Sequence, residues 1–251
     1  MTQAQLLTLS ALVALAFLVE TAAGFGSMVV ALTLGAMWFE VDSLLAWVVP
    51  VNMLLSLWLL LRGRRSLDAA FLFKGLLPLM TAGLLIGGAL AQFVSGLGLK
   101  VAFGALVIVL SLWQLLQMRA SAVELPPVRP LARSIALLSA GVIHGIFGTG
   151  GPLAVFVSSR ELKDKTAFRS TLSALWLVLN GLLIGRLAWA GTVNAESLKT
   201  SAVLLIPLAI GIAAGEWLHN RLAERQFRMA VSSLLVIAGS VLLVSSLRAM
   251  T

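Results

Sequence analysis

Cysteine is absent from the 251 residues, which excludes disulfides, thiolate metal sites and cysteine nucleophiles at once. Histidine occurs only twice, and no His-Glu-x-x-His run is present, so a zinc hydrolase or a nucleophile with its base lacks its parts. No Walker-type phosphate loop occurs, which leaves this chain without the means to hydrolyse ATP. Charge is scarce: 11% of residues are charged, against about 25% in soluble domains. No Lys or Arg precedes the first apolar stretch, as a cleaved secretory signal requires, so that stretch reads as retained. The chain reads as a non-enzyme, with no cofactor and no metal.

What is abundant is apolar: 60% of the residues are hydrophobic. They fall in runs near 4–22, 26–39, 44–61, 69–91, 99–118, 133–147, 151–159, 167–189, 198–219 and 228–247. About 20 residues at 1.5 Å each cross a hydrocarbon core of about 30 Å, so most of these runs predict spanning helices. The run from Gly151 to Ser159 is too short, since nine residues reach only about 14 Å, and predicts part of a broken or re-entrant element. The formal charge of +8 sits in short clusters between the runs, the pattern of membrane-protein loops rather than of a nucleic-acid surface. Lipid is therefore the expected solvent and nucleic acid is not an expected partner.

A motif appears twice. Gly24-Phe25-Gly26-Ser27 matches Gly148-Thr149-Gly150-Gly151, 124 residues later, and Pro78, Gly83, Gly87 and Lys100 match Pro207, Gly211, Gly215 and Arg228, 129 residues later for the proline and 128 for the others. Two matches in the same order point to a duplicated unit. We expect an all-α polytopic membrane protein of two inverted repeats, each with a Gly-rich broken or re-entrant helix pair plus three spanning helices. The first repeat takes residues 1–118 and the second 133–251, joined by a cytoplasmic linker at 119–132 that carries Glu124, Pro126, Pro127 and Pro130. If each Gly-rich pair returns to its starting side, all of the 18 basic residues except Lys100, Arg186, Lys199 and Arg248 fall on one side. The positive-inside rule makes that side cytoplasmic and turns both termini outward. In inverted repeats the substrate lies near the midplane where the discontinuous elements meet.

A helix broken at His144-Gly145-Ile146-Phe147-Gly148-Thr149-Gly150-Gly151-Pro152 frees backbone donors, which survive in hydrocarbon only inside the protein or along a cavity. Glycines admit a ligand close to the main chain, and the positive end of a helix favours an anion. Gly24, Gly26 and Ser27 in the first half and Gly148, Thr149, Gly150 and Gly151 in the second are thus candidate substrate contacts. Asn52, following Pro50, is a further candidate, with Asn180 and Ser173 in comparable places in the second half. Glu20 and His144 each precede the first glycine of their motif by four residues, and are the candidate groups for proton coupling. Of the tryptophans, Trp47 and Trp176 lie away from segment ends, where interfacial anchors sit.

Gly-Ile-Phe-Gly-Thr-Gly-Gly-Pro-Leu at 145–153, Ala167-Phe168-Arg169-Ser170-Thr171, and Pro207 with Gly211 and Gly215 resemble the TauE/SafE family of sulfite exporters, also called the TSUP family. The likeness covers nearly the whole chain. The first half departs from the motif, with Ser27 and Met28 in place of Gly151 and Pro152 and Ala46 to Pro50 in place of Ala167 to Thr171. The resemblance implies duplicated halves and export of sulfite or an organosulfonate such as sulfoacetate across the inner membrane. Arg169, with a planar fork suited to sulfonate or carboxylate, joins the candidate ligands. The partners expected are a small anion, membrane lipid and protons, and the sequence carries no signature of an oligomeric state. The alternatives are an anion channel and an uptake carrier for a small carboxylate.

Overall fold

Long apolar runs can satisfy their backbone groups in lipid only as helices, and helices are what form. The computed structural model describes every residue except 1, 24–25, 94–95, 120–127, 163, 220, 222–223 and 250–251. Among the described residues eleven α-helices follow one another: α1 (Gln3–Ala23), α2 (Ser27–Gly35), α3 (Val41–Gly63), α4 (Leu77–Leu90), α5 (Gly96–Arg119), α6 (Pro130–Phe147), α7 (Gly151–Glu161), α8 (Lys165–Trp189), α9 (Ala195–Val203), α10 (Leu205–His219) and α11 (Glu224–Arg248). Among the described residues there is no strand, and eight stretches are long and apolar enough to cross a membrane. Large apolar side chains such as Phe93, Leu131, Ile206 and Leu85 stand exposed, as a lipid-facing surface requires. Most of the expected linker, Glu124 to Pro127 included, lies outside the described residues.

Two helices, α2 and α7, are too short to span and belong to none of the eight spanning-length stretches. With 9 and 11 residues, α2 and α7 reach about 14 and 17 Å. Each follows a longer helix across the Gly-rich break. The α6–α7 pair folds back on itself: Arg133 in the first turn of α6 approaches Glu161 at the end of α7 to 3.9 Å. The break at Gly148 to Gly150 is therefore the tip of a helical hairpin.

Prolines explain two further interruptions. Pro78 follows a π-helical stretch, Phe71–Leu76, and Pro207 follows a turn at Leu204 that separates α9 from α10. Each lacks an N–H and crowds the carbonyl four residues back, so the regular ladder gives way just before it. The run at 198–219, expected as one segment, is consequently two helices, although 195–218 still make one stretch of spanning length. The distortions recur at the matching prolines of the two halves.

The helices gather into two compact units, each of which draws on both sequence halves. One comprises residues 1–48, 94–123 and 196–251, and the other 49–93 and 124–195. Inside the first, α1 packs on α10; inside the second, α6 packs on α4. The same contact is built twice. A Cβ on Gly211 or Gly215 would press on the carbonyls of Ala14 or Leu18, and one on Gly83 or Gly87 would press on the carbonyls of Leu138 or Val142. Ala14 and Leu18 precede Leu138 and Val142 by 124 residues, and the two glycine pairs are 128 apart, the offsets of the sequence motifs. The internal duplication thus reappears, residue for residue, in helix packing.

Candidate anion site

The second break starts where α6 stops. Gly148 takes the left-handed conformation, φ 64°, which ends the helix, and its N–H bonds back to the His144 carbonyl at 2.8 Å. Gly150 then passes so close to the Ala140 carbonyl that a side chain there has no room, and Gly151 and Pro152 open α7. Pro152 costs nothing in that first turn because its missing N–H has no intrahelical partner in any case. No side chain caps α7. The leading amides of α7 thus remain donors directed out of the helix end.

His144 sits beside that end. Its Cβ is 3.2 Å from where a Cβ on Gly150 would lie, and the imidazole stacks on Trp176 of α8 with centroids 5.6 Å apart and planes 24° apart. Only 2% of the residue is exposed; no protein group meets either ring nitrogen with full hydrogen-bond geometry, and the Asn180 side chain offers only a looser interaction. Leaving a buried polar group unpaired costs about 1–3 kcal/mol. The Asn180 amide lies next to the ring and donates to Asn52 Oδ1 at 2.8 Å, leaving Asn180 Oδ1 buried without a partner. Thr149, at the tip, is buried as well. One unit therefore brings together Asn52, His144 and Gly148 to Gly151 with Asn180 and Trp176, both singled out in the sequence.

The first break belongs to the other unit. Gly26 adopts φ 107° ahead of α2, and Ser27, the first residue of α2, donates to Glu20 Oε2 through its N–H at 3.2 Å and through its hydroxyl. Glu20, in the last turn of α1, is 7% exposed. An acidic group at a helix N-terminus neutralises the positive end of the dipole. Gly24 lies outside the described residues.

Arg169 stands near the start of α8, and its carbonyl accepts a hydrogen bond from Ser173 Oγ at 2.8 Å. Seven residues separate it from Trp176, so its backbone is roughly 10 Å along α8 from the level of the imidazole. The residues after it hold a neighbouring turn: Thr171 Oγ1 accepts from the Asp68 N–H at 3.1 Å, while Ser170 abuts Gly63. Asp164 caps α8 by accepting from the Ala167 N–H at 2.7 Å.

A family model described as "Sulfite exporter TauE/SafE" matches residues 9–242. The chain belongs to the TauE/SafE family. A curated relative, the "Probable inner membrane transporter protein TsaS" of Comamonas testosteroni, is 25% identical over 100 residues, 39% of this chain. That match spans about two-fifths of the relative's own length (42%). No solved structure matches. TauE/SafE membership accords with the eight stretches of spanning length, among the described residues, of a multi-pass membrane protein. What this TauE/SafE chain adds is an asymmetry between its breaks, a carboxylate in one and an imidazole in the other.

Proposed function

We propose that the chain is a secondary transporter of a small anion in the inner membrane, exporting sulfite or an organosulfonate such as sulfoacetate. The observation that carries this reading is the tip of the α6–α7 hairpin. There an uncapped helix end, three glycines and a buried imidazole whose nitrogens lack well-formed hydrogen bonds converge in a chain whose surroundings are hydrocarbon. Irregular backbone and unpaired polar groups persist at such depth only where they line a cavity or meet a ligand. Amide donors at Gly150 and Gly151 and the Thr149 hydroxyl suit the oxygens of a sulfite or sulfonate. Arg169 supplies the counter-charge along the path, and Asn52 supports the wall through Asn180. Coupling to protons, in this reading, uses Glu20 or His144.

The duplicated packing supports two inverted repeats at 1–118 and 133–251, joined through 119–132, that expose the site alternately to each side. The test is counterflow in proteoliposomes. Vesicles loaded with unlabelled sulfite accumulate radiolabelled sulfite only when a carrier exchanges one anion for another. Saturable exchange inhibited by sulfoacetate is expected. Currents of many ions per opening would show a channel, and exchange of small carboxylates alone would show an uptake carrier of the other class.

A further inference from the structure

The two breaks occupy matching positions but meet their helix ends differently. In the first, the chain supplies its own anion: the Glu20 carboxylate accepts both donors of Ser27 at the start of α2. In the second, the residues 124 positions later are His144 and Gly151. The internal negative charge is gone, and a side chain carrying at least one N–H in either protonation state stands in its place. The Ser27 hydroxyl is gone too, and a Cβ on Gly151 would meet nothing within 4 Å, so space lies where that side chain would project.

We propose that His144 is a direct ligand of the transported oxyanion, which takes at the start of α7 the position that the Glu20 carboxylate takes at the start of α2. This rests on the transporter reading above and names a ligand of that same site. The helix end alone does not carry it. The independent observation is the imidazole itself, 98% buried by its 2% exposure, without a well-formed hydrogen bond at either nitrogen although Asn180 lies beside it, and rooted 3.2 Å from the Gly150 position that leads into α7. The first break serves as the template within the same chain: one carboxylate oxygen, Glu20 Oε2, accepts both donors of a buried helix start. Sulfite, a sulfonate and a carboxylate all present an oxygen of that kind. One chain should then bind one anion, because the other helix end already holds a carboxylate.

The experiment titrates sulfite into the full-length protein in detergent, by calorimetry and by thermal shift. The native chain is expected to bind one sulfite and to melt at higher temperature with it. His144→Glu copies the first break, so the variant should fold and lose binding by about a hundredfold or more, its own carboxylate taking the place of the ligand. His144→Ala should weaken binding by about tenfold or more, the loss of a hydrogen bond to a charged group, and His144→Gln, which keeps a donor, should bind more tightly than the Ala variant. Should His144→Glu fail to fold, the Ala and Gln variants decide. Binding within twofold of native in both Ala and Glu variants, or two sulfites per native chain, would overturn the proposal and leave the transporter reading intact. A native chain showing neither sulfite binding nor counterflow would overturn both.

Discussion

Pro50 illustrates how single residues settle polar accounts in lipid. Inside α3 it cannot donate to the Ala46 carbonyl, and the Ser201 hydroxyl of α9 is directed at that gap, 3.5 Å from Ala46 O and 2.8 Å from Trp47 O. The hydroxyl has one hydrogen to give, to Trp47 O, to Ala46 O or to Ser197 O of its own helix, and replacing Ser201 by Ala removes it. Ser201→Ala should therefore lower stability by about 1–3 kcal/mol, read as a lower melting temperature in detergent. Ser240→Ala, whose hydroxyl bonds only within its own helix, should leave it unchanged. The need for a donor near Pro50 is legible in the sequence, because the missing N–H is a property of proline. Its supplier is not, since 151 residues separate the two in the chain. Asn52, two residues on, accepts from the Asn180 amide through its Oδ1.

At the scale of elements, hydrophobic length places nearly every helix, and the break at Gly148 to Gly150 with its short following limb follows from glycine spacing and run length. The partners do not follow. Glycines four apart on α4 and α10 announce a close approach, yet nothing local says that α4 meets α6 and α10 meets α1. A Cβ at Gly215 would lie 2.7 Å from the Leu18 carbonyl, and one at Gly87 would strike the Val142 carbonyl. Backbone cannot yield as a side-chain end can. Gly87→Val and Gly215→Val should each destabilise by about 1–3 kcal/mol or more, and to a similar extent, because the two contacts are duplicates. Gly185→Ala on α8, where an added Cβ meets nothing within 4 Å, should be neutral or stabilising. Thermal melts of the three variants would check both expectations, and unequal losses at Gly87 and Gly215 would argue against equivalent packing.

For the whole molecule, the absence of cysteine turns into an experimental advantage: any thiol introduced is unique. We propose, from the positive charge crowded between particular runs, that both termini lie outside the cytoplasm. Gln3→Cys and Arg248→Cys should then react with an impermeant maleimide in intact cells, whereas Arg65→Cys should react only after the cells are opened. The opposite labelling would reverse the orientation and with it the side from which the α6–α7 tip is reached. Stability at this scale comes from helices of both sequence halves packed into the same unit, so neither half is expected to remain folded without the other.

Composition alone required lipid as solvent and helices as the response to it, because uncompensated backbone polar groups are prohibitive there. The repeated glycine motifs likewise disclosed the duplication and the two breaks, since both are written in local spacing. Side-chain meetings at those breaks were decided only by folding. Glu20 reaches Ser27, while its counterpart His144 lies against Trp176 without a well-formed hydrogen bond at either nitrogen. Direction and distance in three dimensions are not functions of spacing, and it is they that give two copies of one motif different chemistry.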